Sequence, residues 1–143
     1  MIFGAPRTKP ESYNFNYNNE PLDIVNDFKY LDAVITYNGH FKQCQIENKQ
    51  KALRAKYALL SKCKNLQLPI DIQLELFDKT MVPILLYGCE IWGTTKCDII
   101  EAVHLKFCKL VLGKSSTPIC MIYGELGRLP LHLQIKQRVI SCC

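Results

Sequence analysis

The hydrophobic period changes once along this chain, near residue 40, and that change limits it to a small β segment followed by helices. Before it, Tyr13-Asn14-Phe15-Asn16-Tyr17 alternates aromatic and polar side chains, the period of a strand with one covered face. Asn18-Asn19 signals a turn, because Asn tolerates positive φ. Pro21 to Val25 can return as a short edge strand, which Asn26-Asp27 breaks. Phe28 to Tyr37 reads as a third strand, rich in β-branched and aromatic residues, and Asn38-Gly39 ends it with a strong turn dipeptide.

Beyond residue 40 the apolar spacing is helical. A first helix is expected from Phe41 to Cys63, with Ile46, Leu53, Tyr57 and Leu60 as its apolar line and Ala52, Leu59 and Cys63 widening it. A second runs from Ile70-Asp71 towards Trp92. Its first half is amphipathic (Ile72, Leu76, Phe77). Its second half is apolar on nearly every side, as a central buried helix is. Pro83 should kink or divide it, and Gly93 ends it. A third spans about Lys96 to Leu112, with Thr95 and Asp98 as a capping box and Gly113 as its stop. Thr117-Pro118 opens a short helix to about Leu126, closed by Gly127. Pro130 opens the last, with Leu131, Ile135, Val139 and Cys142 on one face; the chain stops inside that periodic pattern, as a fragment would. The fold class expected is therefore α+β, mainly α: an N-terminal antiparallel hairpin or meander and then four or five bundled helices. Ile84, Leu85, Trp92, Val103, Phe107 and Leu110 should lie in the core.

Composition adds bounds. With 48% hydrophobic and 22% charged residues in 143, the chain can bury a core. Eight cysteines raise a disulfide framework, but no signal segment precedes them, and several lie in apolar runs such as Leu85-Leu86-Tyr87-Gly88-Cys89. Reduced thiols packed as small core residues, in an intracellular protein of cytoplasm or nucleus and not a secreted one, is the expectation. The longest apolar run, Met81 to Cys89, is too short to span a bilayer, so no membrane partner is expected. The net charge of +5 is uneven: residues 41–65 carry seven basic side chains (Lys42, Lys49, Lys51, Arg54, Lys56, Lys62, Lys64) against Glu47 alone. Lys42, Lys49 and Lys56, seven apart, form a stripe on a helix. Flexible ammonium groups suit sequence-independent contact with phosphates, though a basic helix face is also what keeps many proteins soluble.

Three segments, in order, carry a resemblance. Phe28-Lys29-Tyr30-Leu31-Asp32, Val82-Pro83-Ile84-Leu85-Leu86-Tyr87-Gly88-Cys89-Glu90-Ile91-Trp92-Gly93, and Met121-Ile122-Tyr123-Gly124-Glu125-Leu126-Gly127-Arg128-Leu129-Pro130-Leu131 resemble segments that follow the catalytic motifs in non-LTR (LINE-type) retrotransposon reverse transcriptases. Met1-Ile2-Phe3-Gly4 looks like the end of the palm. The resemblance implies a division into 1–40 (end of palm and primer-grip-like hairpin), 41–113 (thumb-like helical bundle) and 114–143 (start of a post-thumb region, truncated). It implies an RNA/DNA template–primer duplex, held weakly and by its backbone, as partner, along with the missing palm domain. Lys29, Tyr30, Lys42, Lys49 and Lys56 are the nucleic-acid-binding candidates. Two departures stand out: Asp32 replaces a Gly and would repel a phosphate backbone, and Cys142-Cys143 replaces aromatic residues.

Polymerase chemistry needs two divalent ions held by clustered carboxylates. The chain has no Asp-Asp pair, and Asp23, Asp27 and Asp32 lie at turns or strand ends. No catalytic residue and no cofactor is expected in this chain, the Mg2+ belonging to the parent enzyme; on its own it should not polymerise. Tyr30 and Phe28 could stack on bases, packing being the stronger role for Phe28. Tyr87 and Trp92 look like thumb core, and Arg128 is either a phosphate contact or a surface charge at a helix end. Cys89, Cys97, His104 and Cys108 can be drawn as a metal site, but without the close Cys-x-x-Cys spacing of structural zinc, and no metal is expected. The alternatives are a stand-alone helical adaptor that binds nucleic acid or protein, and a decayed reading frame without function.

Overall fold

The computed structural model describes residues 16–23 and 25–142. Residues 13–15 of the first expected strand, residues 1–4, Ile24 and Cys143 lie outside these. The class is α+β, mainly α. The chain divides between Cys44 and Gln45 into two compact units.

Among the described residues the first unit holds two hairpins. β1 (Asn16–Tyr17) pairs antiparallel with β2 (Glu20–Pro21), and β3 (Asp27–Tyr30) with β4 (Ala33–Thr36). Asn18 and Asn19 turn the first at φ 50° and 65°. The expected single strand from Phe28 to Tyr37 is instead folded on itself: Leu31 and Asp32 turn it at φ 44° and 67°. Positive φ at both central residues matches the right-handed twist of the flanking strands. The Tyr37 amide donates to the Asn26 carbonyl at 2.8 Å, and Gly39, at φ 69°, closes the segment.

Among the described residues six helices follow: α1 (Lys42–Asn65), α2 (Ile70–Leu85), α3 (Cys89–Trp92), α4 (Asp98–Leu112), α5 (Ile119–Glu125) and α6 (Leu131–Cys142). The number exceeds four or five because the second expected helix is divided. The division falls at Leu86–Gly88, one turn after Pro83. Pro83 has no N–H and sits in the last turn of α2, and Gly88 then takes φ 68° as the residue before α3. Thr95 and Asp98 do not form a capping box. α4 begins after Cys97 with no side-chain cap, because the Thr95 hydroxyl donates to the Trp92 carbonyl at 2.7 Å. Gly113 does end α4, at φ 65°, and the Lys114 amide reaches the Lys109 carbonyl at 3.1 Å, which completes a Schellman closure.

Phe77, Met81, Leu85, Trp92, Ile100 and Phe107 fill the core of this unit, joined by Ile122, Leu131 and Ile135. The rings of Phe77 and Phe107 stack with centroids 4.3 Å apart. Leu85, Trp92, Val103 and Phe107 are buried as expected; Ile84 is only half-buried, and Leu110 is 50% exposed. α6 packs on α3 across Gly93, where a Cβ would meet the Cys89 carbonyl and lie 2.6 Å from Ile135 Cγ2. Five of the seven described cysteines are buried, Cys120 and Cys142 being exposed, and all seven are free thiols. Burial pushes the Cys89 and Cys108 thiols up to about 11, so they pack as neutral groups. Among the described residues no helix is long and apolar enough to cross a membrane.

Candidate nucleic-acid interface

α1 carries the candidate site, and its orientation follows from two buried amides. Gln45 and Asn48 lie on the inward face with Ala52, Leu59 and Cys63. Gln45 Nε2 donates to Thr95 Oγ1 at 3.2 Å and to the Lys96 carbonyl at 3.0 Å. Asn48 Nδ2 donates to the Tyr87 carbonyl at 3.0 Å, which also accepts the Trp92 indole N–H at 3.0 Å. The breaks on either side of α3 leave carbonyls without helical partners, and a buried carbonyl left unpaired is costly. α1 supplies those partners, and this sets which of its faces turns inward.

The expected inner line of Ile46, Leu53, Tyr57 and Leu60 is therefore displaced. Ile46, Leu53 and Leu60 are half-buried and Tyr57 is exposed. The lysine stripe lies between this line and the buried face. At about 100° per residue, Lys42, Lys49 and Lys56 sit roughly 65° from the middle of the buried arc. Lys42 is exposed, and Lys49 and Lys56 are half-buried, the state of a lysine whose stem is covered and whose ammonium reaches water. From Asn48 to Asn65 the helix has six basic residues and no acidic one.

Lys29 and Tyr30 are neighbours in β3 and are exposed. Successive strand residues point to opposite faces, so these two do not converge on one ligand atom. Lys29 pairs with Asp32 at 2.8 Å and lies across from Val34, whereas Tyr30 lies across from Ala33. Asp32 thus faces a lysine three residues before it. Lys29 and Tyr30 belong to the first unit, Lys49 and Lys56 to the second.

Three other side chains take up structural positions. Arg128 pairs with Asp78 and lies over the Phe77 ring, 5.8 Å from its centroid; it is an internal tie, not a free phosphate contact. Tyr87 is exposed, unlike Trp92. His104 is fully buried between the rings of Phe77 and Tyr123. Its Nδ1 lies 3.5 Å from Glu101 Oε1 and from the Tyr123 hydroxyl, and its Nε2 has no hydrogen-bond partner among the described residues. Among those residues no group of three or more His, Cys, Asp or Glu is placed to hold a metal ion.

Glu101 is the node of that cluster. It accepts the Tyr123 hydroxyl proton on Oε1 and the His132 amide at 3.2 Å on Oε2, joining α4 to α5 and to the first turn of α6. Burial pushes its carboxyl up, but the hydrogen bonds from His104, Tyr123 and the His132 amide more than reverse this, and it lies below its ordinary value. Burial, then the bond to Glu101, pushes the Tyr123 phenol well up, so it stays a donor. Neither this node nor the Gln45 and Asn48 amides was singled out in the sequence. Glu101 and His104 are three apart on a helix, a spacing that puts them on one face, and that was the signal available. No family model matches the chain, and neither the curated proteins nor the solved structures contain a match.

Proposed function

We propose that the chain is the thumb part of a non-LTR retrotransposon reverse transcriptase, a module that holds a template–primer duplex by its phosphates and does not polymerise by itself. The observation that carries this reading is the run on α1 from Asn48 to Asn65, six basic residues and no acidic one on one 24-residue helix. The ordered resemblance of its β3 turn, its divided second helix and its α5–α6 segment to that family supports the same reading. On this reading the duplex lies along the Lys42–Lys49–Lys56 side of α1, the palm supplies the carboxylates and Mg2+, and the protein works inside the cell. Lys29 and Tyr30 belong to a primer-side hairpin.

Phosphate neutralisation releases counterions, so affinity falls with salt in proportion to the number of contacts. With three or four lysines engaged, the log–log slope for an RNA–DNA duplex is expected at about −3, taking roughly −0.9 per contact. Fluorescence anisotropy at several salt concentrations measures it. The triple variant Lys42→Gln, Lys49→Gln, Lys56→Gln should flatten the slope and weaken binding to all sequences alike, with an unchanged circular dichroism spectrum. A folded triple variant with the wild-type slope would make the stripe a solvated face and end this reading.

A further inference from the structure

We infer that Tyr57 is a stacking platform for an unpaired nucleotide, so that α1 holds a duplex carrying a single-stranded extension more tightly than a blunt one. The inference rests on the duplex-binding reading of the same helix and adds a second kind of contact to it. Tyr57 is 72% exposed, the most exposed large apolar side chain among the described residues of α1. It does not stand alone. One turn before it are Leu53, half-buried, and Arg54, exposed; one turn after it is Leu60, half-buried, and two turns after it Lys64, exposed. Lys49 and Lys56 lie on its other flank. A phenol ring thus stands on a low apolar strip with cations on both sides and no carboxylate between Asn48 and Asn65.

That arrangement selects its occupant by charge. A polyanion is drawn to it, whereas an acid-free basic border gives an apolar protein surface no complementary charge to meet. The ring also distinguishes forms of nucleic acid. In a closed duplex every base is stacked on its neighbours, and the backbone presents only phosphates and sugars, which the lysines already serve. An unpaired base offers a free π-face, and an aromatic side chain in a basic groove stacks on it without regard to sequence. Arg54, one turn away, can add a planar cation to the same stack. Tyr57 should therefore be silent for blunt duplex and contribute for an overhang.

The test uses the full chain and two substitutions at this exposed position. Trp92 is buried and is the only tryptophan, so Tyr57→Trp places a second, reporting indole on the surface. Titration with an RNA–DNA duplex bearing a single-stranded overhang should quench the new emission, whereas the blunt duplex of the same paired sequence should not, and wild-type emission should hold steady with both. Tyr57→Ala should bind the overhang duplex about tenfold more weakly, within the range of one base–aromatic stack, and bind the blunt duplex as wild type does. Tyr57→Phe should keep the wild-type preference. If Tyr57→Ala leaves the overhang affinity unchanged, or the indole is quenched equally by blunt duplex, the platform is refuted while salt-dependent duplex binding stands. If wild type binds neither duplex at low salt, the duplex-binding reading fails and takes this inference with it.

Discussion

Glu101 shows what one carboxylate can organise. It accepts hydrogens from Tyr123 and from the His132 amide and lies beside His104, so three helices depend on its being ionised. Its carboxyl lies below its ordinary value in the fold. Ionised Glu101 therefore stabilises the folded chain at every pH above the unfolded value, and the contribution fades as pH falls through the lowered folded value. Glu101→Gln should cost about 1.5–3 kcal/mol at neutral pH, the range for hydrogen bonds to a charged group. In thermal melts followed by circular dichroism, the gap between wild type and variant should narrow below pH 4.5, the ordinary value; a gap that widens there would show that the carboxylate is not what stabilises the cluster. Leu31 makes the opposite case, a residue in the wrong conformation for its type. At φ 44° its Cβ crowds the backbone, a strain of about 1–2 kcal/mol that Asn relieves. Leu31→Asn should slow amide hydrogen exchange across Asp27–Thr36 several-fold.

At the scale of elements, the positions that decide packing are the breaks. Gly93 lets α6 approach α3, and a Cβ there would press on Ile135 and Val139 at 2.6 and 2.8 Å. Gly93→Ala should lower stability by about 1–3 kcal/mol, the usual cost of overpacking. Gly113→Ala meets open space and should cost only its left-handed strain, about 1–2 kcal/mol. Denaturant titration of both separates the two mechanisms: Ile135→Ala, which removes the crowding Cγ2, should cost less in the Gly93→Ala background than in wild type, and should cost the same with or without Gly113→Ala. The period change near residue 40, the stops at Gly113 and Gly127 and the Pro83 interruption were all legible, since each follows from local chemistry. The face that α1 buries was not. Hydrophobicity favoured Ile46, Leu53, Tyr57 and Leu60, but the unpaired carbonyls around α3 drew Gln45 and Asn48 inward. No spacing within α1 reveals a partner some forty or fifty residues away. The Leu31-Asp32 turn escaped for a related reason: Leu is a poor turn residue, so the β-rich run from Phe28 to Tyr37 read as one strand.

For the whole molecule, the lysines of the candidate site were legible as a stripe, and their half-covered position beside the buried face was not, because it depends on that same inward turn of α1. The first unit has a consequence for behaviour in solution. Phe28 and Tyr30 point to one side of the β3–β4 hairpin, with Ile35 and Ala33 across from them. Phe28, Tyr30 and the turn residue Leu31 are all exposed, as is Tyr17 in the other hairpin. An exposed apolar face of this kind drives self-association in concentrated solution. Sedimentation velocity over a range of concentrations should show the apparent mass rising with loading. Phe28→Thr with Tyr30→Thr keeps strand preference while removing both rings, and should hold the chain monomeric over the same range. The Lys42→Gln, Lys49→Gln, Lys56→Gln variant tests the rival cause: if charge repulsion along α1 limits association, lowering it should increase the apparent mass, whereas association through the hairpin face alone leaves it unchanged. A wild-type chain that stays monomeric throughout would mean that this face is too small to bind a second copy, and the association expected from it would not occur.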